Sequence, residues 1–206
     1  MIRVLAALVL TATVGGLVSP AGERAACDLP EKEHRKNLAG RDGAGLCVFA
    51  SLTHCGKWHN QPLLEGMLDW MTRHPGGGWP EKVDRMIELR AKETNQRVPR
   101  YVHIRTYDPE LLRTAVRKGY MVCVTYYRSP TGRYGGRTIS HMVNLVHAGP
   151  EDRKSEPLWG ILDNNYPKTI EWMNESEFAS ATGGRNGSFW AMLILEPPPP
   201  PRRPFN

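Results

Sequence analysis

Gly40-Arg41-Asp42-Gly43-Ala44-Gly45 runs directly into Leu46-Cys47-Val48-Phe49-Ala50-Ser51-Leu52, a glycine-rich loop feeding an apolar segment. The apolar residues of 46–52 fall on several sides of a helical wheel, which marks a helix buried within a domain. Gly56 is its expected end. A cysteine in the first turn sits among unsatisfied N–H groups at the positive end of the helix dipole, a setting that favours the thiolate. The glycines let the backbone approach a bound molecule closely, and the Cys47 N–H is then available to a developing oxyanion. The stretch alone would suit an ordinary buried cysteine equally well.

Outward from this segment the pattern stays helical to about Lys92. Pro62 opens a second amphipathic helix through Leu63-Leu64, Met67-Leu68 and Met71, stopping before Pro75-Gly76-Gly77-Gly78. A third, from Glu81 to about Lys92, carries Val83, Met86, Ile87 and Arg90 at helical spacing. Beyond Pro99, Tyr101 to Tyr107 alternates like a strand, and Asp108-Pro109-Glu110 is a cap plus N1 proline opening a helix that Gly119 closes. Tyr120–Tyr126, His141–Val146, Trp159–Leu162 and Ser188–Leu195 then read as strands rich in β-branched and aromatic residues. Asn174-Glu175-Ser176-Glu177 has the cap and acidic first turn of one short helix among them. The expected class is α+β, a helical N-terminal half packed against a C-terminal antiparallel sheet half.

The ends read differently. Residues 1–21 have the form of an export signal: Arg3, an apolar run from Val4 to Val18, and the small residues Ser19-Pro20-Ala21. The run is shorter than the roughly 20 apolar residues that span a bilayer, so a secreted or extracytoplasmic protein is expected, in the periplasm or cell envelope if bacterial, with no integral membrane segment after cleavage. Residues 28–196 then form one domain. Residues 197–206, opening with five prolines, form an extended polyproline tail, a spacer or a ligand for a partner that reads such segments. The net charge of +6 is spread along the chain, so no nucleic-acid partner is expected.

The four cysteines are Cys27, Cys47, Cys55 and Cys123. On one helix, Cys47 and Cys55 lie about 12 Å apart, too far for a disulfide. With Cys47 set aside as reactive, the expected pair is Cys27 with Cys55, leaving Cys123 buried in the sheet. Ala25-Ala26-Cys27 superficially resembles a lipoprotein signal, but Arg24 stands where that signal wants an apolar residue.

Two further elements join Cys47. His141 heads the run Met142-Val143-Asn144-Leu145-Val146, where it can take the thiol proton and return it to a leaving amine. Asp163-Asn164-Asn165 ends the strand Trp159–Leu162, where Asp163 or Asn164 can hold the imidazole in one tautomer. Cys opening a buried helix, then sheet, then His heading one strand and Asp/Asn ending the next, resembles the papain-like cysteine peptidases, in its later part their C39-like branch. The resemblance rests on Gly45-Leu46-Cys47-Val48-Phe49-Ala50, Ser140-His141-Met142-Val143-Asn144-Leu145-Val146 and Ile161-Leu162-Asp163-Asn164-Asn165-Tyr166-Pro167. It implies a cleft between the two halves and hydrolysis of peptide or amide bonds through a thioester, without cofactor or metal. It also implies Asp163 slightly ahead of Asn164. The family places a glutamine shortly before the cysteine to complete the oxyanion hole; here Arg41 holds the comparable position. A transamidase using the same residues, or a catalytically silent binding module, are the alternative readings. A metal site at Cys55 and His59, with His54 nearby, is a further alternative that lacks a second paired ligand motif.

Overall fold

The computed structural model describes residues 26–149, 158–183 and 189–200. The expected signal segment, residues 1–21, and residues 201–206 of the tail lie outside them.

Among the described residues, six α-helices lie mainly in the N-terminal half: α1 Cys47–Trp58, α2 Pro62–Glu65, α3 Met67–Met71, α4 Pro80–Thr94, α5 Pro109–Arg117 and α6 Glu175–Thr182. Six strands form one antiparallel sheet: β1 Tyr101–Ile104, β2 Val122–Tyr126, β3 His141–Ala148, β4 Trp159–Leu162, β5 Ile170–Met173 and β6 Ala191–Ile194, in the order β1-β6-β2-β3-β4-β5. The α+β division expected from the sequence is therefore present. Every residue of β2 and β4 is buried. Because successive side chains alternate between faces, both sides of the central strands are covered. Helix α1 packs on β2 and β3, and its own residues Val48–Gly56 are all buried, which explains apolar residues around its whole circumference. Among the described residues no helix is long and apolar enough to cross a membrane.

Helix α1 does not stop at Gly56. The glycine is there for packing: a Cβ on it would collide with Glu65 N and come within 2.7 Å of Leu64 C, so it sets how closely α2 crosses α1. The expected helix over 63–71 is two short ones, broken at Gly66, where a Cβ would press into the Arg90 guanidinium. The strand expected over 101–107 ends at Ile104. The caps are as the residue types dictate: Asp108 accepts from Leu111 N, and Asn174 and Glu177 form a reciprocal capping box.

The expected Cys27–Cys55 bridge is not formed. Cys55 faces the sheet from α1 and its sulfur lies 3.4 Å from that of Cys123 on β2. Cys27 instead lies in the segment that bridges to β3 at His147, its N–H donating to Val146 O.

Candidate active site

The N–H of Cys47 at the first position of α1 has no carbonyl partner four residues back within the helix. The sulfur lies beside His141, the first residue of β3, with which it shares both flanking cavities, and the backbone N–H groups of Met142 and Val48 add to the setting that favours its ionised form. His141 Nε2 donates to Asp163 Oδ1 at 2.8 Å, leaving Nδ1 for the thiol. Asp163 is fully buried and also accepts from Asn165 N (Oδ1, 2.9 Å) and Tyr134 Oη (Oδ2, 2.7 Å). Thiol, imidazole and carboxylate thus form one chain across the seam between helices and sheet.

Burial pushes the Cys47 thiol up, but the hydrogen bond and positive charge of His141 outweigh it and bring its pKa below the usual thiol value. Burial likewise pushes His141 down, and is overcome by the hydrogen bond to Asp163 and by the sulfur, which hold the imidazole pKa near 9. The Asp163 carboxyl is raised by burial but lowered further by His141, Tyr134 and the Asn165 N–H, so it stays ionised. Both shifts favour a thiolate–imidazolium pair.

Cys47 is half-buried and separates two open cavities. One, of about 280 Å³, is walled by Gly45, Gly77, Gly78, Val48 and Trp190; the other, of about 350 Å³, by Asn37, Gly45, Tyr134, Ile139 and Asn165. The Trp190 wall is held by its indole N–H donating to His103 Nδ1 at 3.0 Å, with His103 Nε2 on Asp84 at 2.8 Å.

Asn164 makes no hydrogen bond to His141. Its Nδ2 contacts Met142 O at 2.8 Å, Ser51 Oγ at 3.0 Å and Cys47 O at 3.1 Å, tying the first turn of α1 to the mouths of β3 and β4. Arg41 is exposed and borders neither cavity; its backbone N–H donates to His74 O. Residues 40–44 instead fold onto 74–76, held by Asp42 Oδ1 accepting from Ala44 N and Gly76 N.

Sequence reasoning missed Tyr134 and Glu171, and gave Asn165 no role of its own. Tyr134 lies in the glycine-rich loop 127–140, which carries positive φ at Gly132, Gly135 and Gly136. That loop is fastened by Glu171, buried on β5, whose carboxylate accepts from Tyr126 Oη (2.5 Å), Ser129 Oγ (2.5 Å) and Thr131 Oγ1 (2.6 Å), with Arg133 Nη1 at 3.8 Å. The only signal in the sequence was a lone glutamate between Ile170 and Trp172. Among the described residues no group of His, Cys, Asp and Glu is arranged to hold a metal. His54 is a structural pin, with Nδ1 on Asn144 Oδ1 at 2.8 Å and Nε2 accepting from Arg35 N at 2.7 Å.

No protein-family model matches this chain, and no curated protein matches it. Among solved structures, the Salmonella effector SpvD (G161 variant) aligns at 17% identity and a TM-score of 0.34, over 72% of this chain and 66% of that one. This chain therefore spans just under two thirds of that protein's length.

Proposed function

We propose that the protein is an extracytoplasmic cysteine hydrolase of papain-like type that cleaves peptide or amide bonds. The observation that carries this is the grouping of Cys47, His141 and Asp163, the imidazole hydrogen-bonded to the carboxylate and sharing with the sulfur the cleft on either side of it. A cleft flanking the nucleophile on both sides suits a chain-like substrate with residues before and after the scissile bond.

In this reading the Cys47 thiolate adds to the carbonyl carbon; a C–S bond forms and the C=O π pair moves onto oxygen. The oxyanion collapses, the C–N bond breaks, and His141 delivers its proton to the departing amine. Water then adds to the thioester, giving its proton to His141. The acid leaves, the proton remains on His141, and the thiolate is regained. Asp163 keeps Nε2 protonated throughout, so Nδ1 is the atom that moves the proton. The export segment and the peptide substrate belong to the same reading.

The test is labelling of the full-length protein with iodoacetamide at pH 6, followed by peptide mapping. An ordinary thiol is only ~0.3% ionised there, so fast, selective labelling of Cys47 is expected, lost in His141→Ala. Cys47 labelling no faster than free cysteine would overturn the reading and leave a silent module. Generic peptide hydrolysis abolished by Cys47→Ala and by His141→Ala completes it.

A further inference from the structure

Sequence reasoning gave Asn37 no role. Its backbone N–H donates to Asn164 O at 2.7 Å, and its side chain borders the same cavity as Cys47, Gly45 and His141. A run of hydrogen bonds with one allowed direction connects it to the carboxylate. An ionised Asp163 only accepts, so the Tyr134 hydroxyl must donate to it. The Tyr134 oxygen is then free to accept, and it does so from Asn165 Nδ2 at 2.9 Å. That turns Asn165 Oδ1 toward Asn37, where it accepts from Asn37 Nδ2 at 3.1 Å. Reversing the Asn37 amide would set two carbonyl oxygens against each other at that distance, so the network fixes which end is nitrogen.

The nitrogen has a second hydrogen, with no acceptor among the described residues. Nδ2 is also the end nearer Gly45, which walls both cavities: a Cβ on Gly45 would lie 3.4 Å from Nδ2 and 4.0 Å from Oδ1. Meanwhile Asn37 Oδ1 is buried without a hydrogen-bond partner, a cost borne where a donor is presented to the cleft. The side chain whose place in the sequence suggested this task, Arg41, lies outside both cavities.

Resting on the hydrolase reading above, we propose that Asn37 is the side-chain oxyanion donor. Its second Nδ2–H and the backbone N–H of Cys47 together receive the carbonyl oxygen as the sulfur pair forms the C–S bond and the π pair moves onto that oxygen. Asn37 is then a catalytic residue, whereas Asn165 and Tyr134 are positioning residues that orient it from the carboxylate outward.

Two reactions of the same sulfur separate this role from a structural one. Acylation by p-nitrophenyl acetate passes through an oxyanion; alkylation by iodoacetamide does not. In Asn37→Ala the acylation burst should slow by about 10²-fold with KM little changed, while the iodoacetamide rate and its pH profile stay as in the parent. Gly45→Ala, which adds a methyl group at ordinary contact distance from Nδ2 where the carbonyl oxygen would sit, should slow acylation in the same selective way with the Asn37 side chain retained. Unchanged acylation in Asn37→Ala overturns the assignment, and so does an equal fall in both reactions, which would mean that Asn37 only supports the Cys47–His141 pair. A parent protein alkylated selectively at Cys47 but never acylated would instead overturn the hydrolase reading, and the donor with it.

Discussion

At the residue scale, the ion pair makes a prediction about pH. The thiol is lowered and His141 is held near 9, so thiolate and imidazolium coexist from the acid side up to that value. Iodoacetamide inactivation should plateau at mildly acidic pH and change again only as pH rises through about 9, where the imidazolium loses its proton. In Asp163→Asn the carboxylate's support is gone, so the alkaline limb should move to lower pH. A limb that does not move would remove Asp163 from the pair. His54 gives the opposite sign. Burial holds its pKa near 4, so the fold favours the neutral ring; stability is full above its ordinary value of about 6.5 and drains as pH falls from there through 4, by about 3 kcal/mol. Urea unfolding at pH 7 and pH 4 should show this, and His54→Gln, which can still accept from Arg35 N, should flatten the difference. The positions of Cys47, His141 and Asp163 at the ends of their elements were legible in the sequence because each carries its own local signal. Asn37 was not, since it reaches the site through a turn that only the Asn164 carbonyl fixes, and no spacing rule links residues 37 and 165.

At the scale of elements, turn and cap chemistry was legible at Asp108, Asn174 and Gly119, where a local hydrogen bond or a positive φ decides the outcome. Gly56 misled because its reason is tertiary. Alanine there is the better helix former by about 1 kcal/mol, yet Gly56→Ala should destabilise by about 2 kcal/mol because its Cβ meets the α2 backbone, which cannot swing aside like a side-chain tip. Thermal unfolding decides between the two signs. Strand β5 was unreadable for a related reason. It turns a glutamate inward and leaves Trp172 about half exposed, the reverse of the usual alternation. Glu171 in turn clasps loop 127–140, which carries Tyr134 to Asp163. Glu171→Gln should loosen that loop, read as faster tryptic cleavage at Arg133 and Arg137 together with slower turnover; protection equal to the parent's would show that the loop holds itself.

At the scale of the whole molecule, the Cys47 sulfur belongs to the helical half and His141 and Asp163 to the sheet half, so the candidate site exists only while the two halves are docked. Asn164 and Asn144 stitch this seam, the latter with Nδ2 on Ser51 O at 3.0 Å and its oxygen on His54. The division into halves was legible because the hydrophobic period changes near Pro99; which residues cross the seam was not, since asparagine carries no periodic signature. The Cys55 and Cys123 sulfurs also meet across it, 3.4 Å apart and 68 residues apart in sequence. Refolded in a glutathione redox buffer, whose disulfide takes up the two electrons and two protons released, they are expected to join, with Cys47 left free. A non-reducing peptide map showing Cys27 linked to Cys55 would contradict that. Closing a loop of this length stabilises by about 4 kcal/mol, so the pair would act as a latch between the helical and sheet halves, open in a reducing medium and shut in an oxidising one.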